Sequence, residues 1–384
     1  MIPYGTQDIT QEDIEAVTKT LKSAFLTQGP KVSEFESSIA NYCGSSHAIA
    51  TNSATSALHI ACLALGLSKG DHLWTSPNSF VASANCGLYC GASVDFVDIE
   101  LTHFNLCPDA LRQKLIEAEK LNQLPKILVV VDFAGEPCNM ATISNLAKQY
   151  NIKVIEDASH AIGSRYQNIR TGSGEYSDIT IFSFHPVKII TSGEGGCAVT
   201  NDQTLAKRMR SLMSHGITRD SQLLKNNDGP WYYEQQDLGF NYRMTDIHAA
   251  LGLEQLKRID QYIKTRHAIA DHYEELLSDL PIQLPSRRKT SLSSLHLYPI
   301  QLQDDTPIDR LTLFNQLRED GIGVNVHYIP IHLQPYYKNL GFAKGDYPNA
   351  EKYYERAITI PLHPKLSQTE IAYISDSLHK YLKP

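Results

Sequence analysis

Lys188 and Asp157 are the residues whose types and spacing most directly suggest chemistry. Lys188 ends the run Ser183-Phe184-His185-Pro186-Val187-Lys188, and Asp157 closes the apolar segment Val154-Ile155-Glu156-Asp157 upstream of it. A lysine held away from water loses proton affinity and can form a Schiff base with an aldehyde. A carboxylate at a strand end can keep a pyridine nitrogen protonated. Lys188 sits between Val187 and Ile189-Ile190 and is followed by Ser192-Gly193-Glu194-Gly195-Gly196. That pattern suggests a buried amine beside a glycine turn where backbone approaches closely. Taken singly, Lys188 can equally be a solvated lysine and Asp157 a turn or capping acid.

The elements around the pair read as alternating strand and helix. Apolar runs at His47–Thr51, Leu73–Ser76, Val94–Asp98, Ile127–Asp132, Lys153–Asp157, Ile179–Phe184 and Gly196–Thr200 predict strands. Helices fit between them at Ser56–Leu67 and Ala141–Tyr150. The class is α/β, with a mostly parallel sheet covered on both faces. Asp157 and Lys188 then lie just past strand ends, where open α/β sheets bind ligands. Before the strands comes a lead-in: an extended Ile2–Gly5, a helix over Thr10–Ser23 and a loop over Phe25–Pro30. After them come a polar loop over Asp220–Gln236 and a long helix over Thr245–Leu277, broken near Ile259-Asp260. The remainder predicts strands at Leu297–Leu302 and Val324–His327, with helices at Leu311–Asp320, Glu351–Ala357 and Gln368–Leu382. The expected domains are a large one over residues 1–259 and a smaller α+β one over 260–384.

Other residues can serve the same site. Asn52-Ser53-Ala54-Thr55-Ser56-Ala57-Leu58 opens a helix with small residues, whose free backbone N–H groups and dipole favour an anion. Ser53 or Thr55 can as readily be an ordinary N-cap. Phe80 follows the second strand and is either core or a platform beneath a flat ring. His160 is either structural or placed beside that ring, and the Ser183 hydroxyl can reach a phosphate. Pyridoxal 5′-phosphate (PLP) would use this set of groups. Gly172-Ser173-Gly174 is no dinucleotide fingerprint, because position 177 is Ser, and neither a P-loop nor a His-Glu-x-x-His motif occurs.

Bulk composition excludes several classes. The net charge is −7, from 35 basic and 42 acidic residues, and Lys and Arg are scattered, which argues against nucleic acid or an acidic membrane as partner. Seven cysteines without metal-ligand spacing suit a reducing compartment, and no metal site is expected. Cys86 and Cys90 read as packed helix positions. The first basic residue is Lys19, so the opening lacks a secretory n-region, and no apolar run reaches membrane-spanning length; a cytoplasmic chain is expected.

Together, Asn52–Leu58, Phe80, Glu156–Gly163, Ser183–Lys188, Gly193–Gly196 and Leu238-Gly239-Phe240-Asn241-Tyr242-Arg243-Met244 resemble the nucleotide-sugar aminotransferases of the DegT/DnrJ/EryC family. The resemblance covers almost the whole chain. It implies fold-type I, aspartate aminotransferase-like architecture, PLP bound covalently by Lys188, Asp157 at the pyridine nitrogen and Phe80 stacked on the ring. His160 is expected beside the ring, and Ala54, Thr55 and Ser183 at the phosphate. Asn241 would reach the phosphate of the partner subunit's site, which makes the working unit a homodimer.

Ser23–Pro30, Asn52–Leu58 and Val326-His327-Tyr328-Ile329-Pro330 are similar to the branch of that family serving pseudaminic acid biosynthesis. This implies transfer of an amino group from L-glutamate to C4 of a UDP-linked 4-keto-6-deoxy-N-acetylhexosamine. Tyr4, Ala24, Phe25, Leu26, Thr27, Val326, His327, Tyr328 and Ile329 would line the sugar-nucleotide site. Ala54 departs from the Gly-Thr of the wider family but agrees with this branch, and Lys188 argues against the dehydrase branch that carries histidine there. The alternative within the family is a dTDP-4-keto-6-deoxyhexose. Outside it, a nicotinamide-dependent sugar epimerase or dehydratase lacks its glycine fingerprint here, and a non-catalytic binding protein would not need Lys188 with Asp157.

Overall fold

The structure, a computed structural model, describes residues 1–383. Its centre is a seven-stranded sheet built from His47–Thr51 (β1), His72–Thr75 (β2), Ser93–Phe96 (β3), Ile127–Val131 (β4), Lys153–Asp157 (β5), Ile179–Ser183 (β6) and Gly196–Thr200 (β7). Their spatial order is β1-β7-β6-β5-β4-β2-β3. Every residue of β4 and β6 is buried, as expected of strands covered on both faces.

All neighbouring pairs are parallel except those of β7, which runs antiparallel to both β6 and β1. A parallel pair needs a crossover of a dozen or more residues, commonly a helix. The segment between Ser183 and Gly196 contains no helix and turns straight back. Lys188 therefore lies in a hairpin connection, at the same sheet edge as the end of β5.

Predicted and observed elements agree closely at β1, β5, β7 and the helix Gln368–Leu382. The lead-in helix is Gln11–Leu21, where Thr10 donates its N–H to Asp13 Oδ2 at 2.9 Å. The predicted long helix is two, Asp246–Leu256 and Ile259–Leu277, separated at Lys257-Arg258. Val324–His327 is not a strand: it makes one isolated bridge, Asn325 to Thr359. Strands send successive side chains to opposite faces, whereas Val326, His327 and Tyr328 all line one cavity. The small sheet instead pairs Ile282–Gln283 with Tyr298–Leu302 and that strand with Ala357–Ile360.

Helix Ile259–Leu277 begins where the second domain was expected and belongs to two cores. Ile259, Tyr262 and Ile263 pack with the large-sheet layer, and Ile269, Ala270, Tyr273 and Leu277 pack with the small sheet. Between them lies Arg266, 1% exposed, which donates to the carbonyls of Leu295, His296 and Leu362. The chain start also crosses over: Ile2 packs on the small core, and Leu362 donates its N–H to Tyr4 O at 3.1 Å. Among the described residues, no helix is long and apolar enough to cross a membrane.

Asp246 fixes the lead-in to this frame. It is fully buried and accepts the backbone N–H groups of Gly29 at 2.7 Å and Lys31 at 2.8 Å, so it caps helix Pro30–Cys43 from outside. A carboxylate there also meets the positive end of the helix dipole. Asp246→Ala should lower stability by about 2 kcal/mol, the cost of charge-assisted bonds left unmade, read as a lower urea midpoint. An unchanged midpoint would show the cap to be dispensable.

Candidate active site

Lys188 and Asp157 line one cavity of about 380 Å³. The Lys188 loop is held by its own backbone. Lys188 N–H donates to His185 O at 2.9 Å, Thr191 Oγ1 donates to Phe184 O at 3.0 Å, and Thr191 Oγ1 accepts from Gly193 N–H at 2.9 Å. Gly193 has φ +83°, a left-handed conformation that favours glycine. Lys188 is half-buried and lines the cavity. Burial pushes its ammonium down to about 8 against the opposing pull of Asp157.

Asp157, 4% exposed, is gripped on both oxygens. Ser83 Oγ donates to Oδ2 at 2.6 Å and Ser159 Oγ donates to Oδ1 at 2.6 Å. Both bonds are short, and together they fix the orientation of the carboxyl group.

One wall is a set of neutral histidines. His160 Nδ1 accepts from Ala134 N–H at 3.3 Å, so Nε2 carries the proton and donates to Tyr328 Oη at 3.1 Å. Burial, then the charge of Lys188, holds His160 well below the usual range. Burial raises the Tyr328 phenol, which stays protonated with its own O–H free to donate. His296 packs against His160 with ring centroids 4.5 Å apart and is also held well below the usual range by burial. His327 is pushed down to about 3 by burial and the Lys188 charge. Its Nε2 accepts from Asn325 Nδ2 at 3.4 Å, leaving Nδ1–H to donate to Thr359 Oγ1 at 2.9 Å. Both His327 nitrogens are thus engaged within the protein. The polar handle that this segment offers the cavity is Tyr328.

The opposite end suits an anion. Ser53, not Thr55, caps helix Ala54–Ala64 by accepting Ser56 N–H at 3.1 Å, which leaves Ala54 and Thr55 in its first turn. A Cβ at Gly196 would lie 2.3 Å from Ala54 N, so β7 presses its backbone against that turn and only glycine fits. Ser183, 7% exposed, ends β6 opposite Gly196. These groups fit PLP: helix N–H groups and hydroxyls for its phosphate, a carboxylate for its ring nitrogen and a depressed amine for its aldehyde.

Of the predicted residues, Tyr4, Ala54, Thr55, Phe80, Asp157, His160, Ser183, Lys188, Val326, His327 and Tyr328 line the cavity. Phe80 stands at its rim, 59% exposed, with its ring 6.2 Å from that of Tyr328. The others lie outside it. Ile329 is 45% exposed, and Asn241 is exposed on the loop bridged to Ser214. Ala24, Phe25, Leu26 and Thr27 lie on a segment held by the Thr27–Thr245 bridge and by Asp246 N–H donating to Leu26 O at 3.0 Å. Sequence reasoning missed Ser79, Ser83, Ser159, Glu194, His296 and Asn325, all of which line the cavity. Ser159, two residues past Asp157, carried a readable signal as an Asx-turn partner; the others come from distant loops.

Residues 7–379 match the model of the DegT/DnrJ/EryC1/StrS aminotransferase family. The chain is 39% identical over 389 residues to a UDP-4-amino-4,6-dideoxy-N-acetyl-beta-L-altrosamine transaminase of Campylobacter jejuni, covering 100% of this chain and 98% of the relative. It is 36% identical to the Bacillus subtilis spore coat polysaccharide biosynthesis protein SpsC, covering 100% and 97%. Among solved structures it is similar to Helicobacter pylori PseC, an aminotransferase involved in the biosynthesis of pseudoaminic acid, with TM-score 0.91, 32% identity and coverage of 100% and 99%. It is also similar to Spr1654, a candidate sugar aminotransferase of Streptococcus pneumoniae. The PMP form of that protein gives TM-score 0.91 at 32% identity, covering 99% of each chain.

The depressed Lys188 amine has a direct readout. Below pH 8 it is protonated and unreactive; above, it is free. In the apoenzyme, trapping of Lys188 by an aldehyde probe and a reductant, followed by peptide mass spectrometry, should therefore rise with a midpoint near pH 8. Asp157→Asn should move the midpoint lower, because the lost negative charge favoured the ammonium. A midpoint at the ordinary lysine value of about 10.4 would contradict the burial argument.

Proposed function

Because the chain belongs to the DegT/DnrJ/EryC1/StrS aminotransferase family, we propose that it moves an amino group from L-glutamate to C4 of a UDP-linked 4-keto-6-deoxy-N-acetylhexosamine. It is a fold-type I sugar aminotransferase, and its cofactor is PLP. The observation that carries the reading is the junction of Lys188 and Asp157 in one cavity, beside the helix N-terminus at Ala54-Thr55. When bound, PLP supplies an aldehyde that condenses with amines and a ring that accepts an electron pair. Lys188 would hold that aldehyde, and its amine, pushed down to about 8, can take up and return a proton inside the cavity. Asp157 would pair with the ring nitrogen, Phe80 would lie beside the ring, and Ala54, Thr55 and Ser183 would hold the phosphate.

For the sugar nucleotide, Tyr4, Val326 and Tyr328 offer aromatic and apolar edges suited to a deoxy-sugar, with the Tyr328 hydroxyl as donor. One chain's cavity is lined by Lys188 and histidines but no arginine, although both a diphosphate and a dicarboxylate must bind. That shortage supports a site completed by a second subunit. Asn241 and the Ala24–Thr27 segment, outside their own chain's cavity, would contribute there. Phe25 at 53%, Leu26 at 47%, Trp231 at 71% and Leu238 at 82% exposure supply apolar surface of the kind that pairs with another protein. The C. jejuni and H. pylori relatives favour the UDP-sugar of pseudaminic acid biosynthesis; a dTDP-4-keto-6-deoxyhexose is the second reading.

Product NMR after incubation with glutamate and either the UDP- or the dTDP-linked 4-keto sugar tests the substrate. An amine at C4 of the UDP-sugar is expected, and turnover of the dTDP-sugar alone would overturn the choice. Lys188→Ala should remove turnover by several orders of magnitude, as losing a covalent catalyst does, while the fold persists. Retention of a large share of activity would contradict the anchor role. Mixing Lys188→Ala with Asn241→Ala subunits should restore part of the activity, because one composite site in each heterodimer carries neither lesion. Absence of recovery after verified subunit exchange would place each site within one chain.

A further inference from the structure

Ser83 and Ser79 are two buried hydroxyls that the reading above leaves without a role. Ser83 is 1% exposed and Ser79 is 4% exposed, and both line the cavity. Their oxygens lie 2.8 Å apart, and Ser83 Oγ lies 2.6 Å from Asp157 Oδ2. An ionised carboxylate can only accept, so Ser83 spends its single proton on Asp157. Ser83 must then accept from Ser79, and the chain has one direction: Ser79 to Ser83 to Asp157.

Neither hydroxyl is needed where it stands for local structure. Ser83 is in the first turn of helix Ala82–Tyr89, where a serine ordinarily turns back to its own backbone. Here it reaches to the end of another strand. Ser159, by contrast, sits two residues after Asp157 and closes a local turn, donating both its N–H and its hydroxyl to Oδ1. Ser79 directly precedes Phe80, and Pro77 O of the same loop accepts Ile331 N–H at 2.9 Å, just past Tyr328. The serine chain thus ties the loop carrying the ring-face aromatic to the acid facing the ring nitrogen.

We propose that Ser83, backed by Ser79, is a positioning residue for the cofactor's ring nitrogen: its hydroxyl aims the Asp157 carboxylate at that nitrogen. This rests on the reading that Asp157 faces that nitrogen. With Ser83 removed, the carboxylate loses the contact that fixes Oδ2 and turns from the nitrogen, so the charge partner of the protonated ring weakens.

The test is 15N NMR of enzyme reconstituted with PLP labelled at the pyridine nitrogen, for wild type, Ser83→Ala, Ser79→Ala and Asp157→Asn. The Ser83→Ala signal should move toward that of unprotonated pyridine, and Ser79→Ala should move it less in the same sense. The kcat of Ser83→Ala should fall roughly tenfold, with KM for both substrates little changed, as when an interaction made in the chemical step is lost. If Ser83→Ala does not fold, Ser79→Ala carries the same test. A wild-type signal in both serine variants, while Asp157→Asn moves it, overturns this role alone. A wild-type signal in Asp157→Asn as well overturns the placement of Asp157 and this inference with it.

Discussion

Desolvating a lysine is costly, because the charged amine loses its water and the protein must replace it or neutralise it. Here the site is built around that cost. The β6–β7 connection carries no crossover helix and folds back, which leaves Lys188 lining the cavity. Asp157, one strand over, returns part of the lost stabilisation, and the balance lies near pH 8. An amine at that balance could serve as both nucleophile and proton carrier near neutrality, as proposed for Lys188. The neighbouring histidines comply with the same constraint: His160, His296 and His327 are pushed down by burial and by the Lys188 charge, so none adds a second cation.

Polar groups in such a place need partners that do not compete with the lysine. The structure supplies them from elements far apart in sequence. Asp157 is held by Ser83 and Ser159, His160 by Ala134 N–H and Tyr328, and His327 by Asn325 and Thr359. Tyr328 packs on the large-sheet core, whereas His327 is bonded to Thr359 of the small sheet, and Arg266 ties the helix shared by both cores to the loop bearing His296. The cavity therefore rests on the large-sheet core, with His327 linking its wall to the small sheet.

The Lys188–Asp157 pair was legible because both residues end or follow short apolar runs, and strand ends are where such sheets bind ligands. Strands β5 and β7 match their predicted bounds because their apolar runs are sharply flanked by polar or turn residues. The antiparallel run of β7 was not predicted, since strand direction follows from the length and path of a connection. Val324–His327 looked like a strand by composition, but the cavity demands three successive side chains. The strand Ala357–Ile360 was not predicted: the expected helix Glu351–Ala357 took its first residue, and the three residues left were too short an apolar run to read as a strand. Ser83 could not be seen at all. Its meeting with Asp157 depends on β2 and β5 flanking β4, and no local spacing encodes that order.

With Lys188 and Asp157 in the proposed roles, amino transfer would run in two separable halves. Absorbance spectroscopy of the purified holoenzyme tests it with L-glutamate alone. The visible band above about 400 nm, which reports the lysine-bound cofactor, should disappear with release of stoichiometric 2-oxoglutarate. Adding the keto-sugar nucleotide should then restore the band. A band that glutamate leaves unchanged, or that disappears without 2-oxoglutarate, would contradict the account.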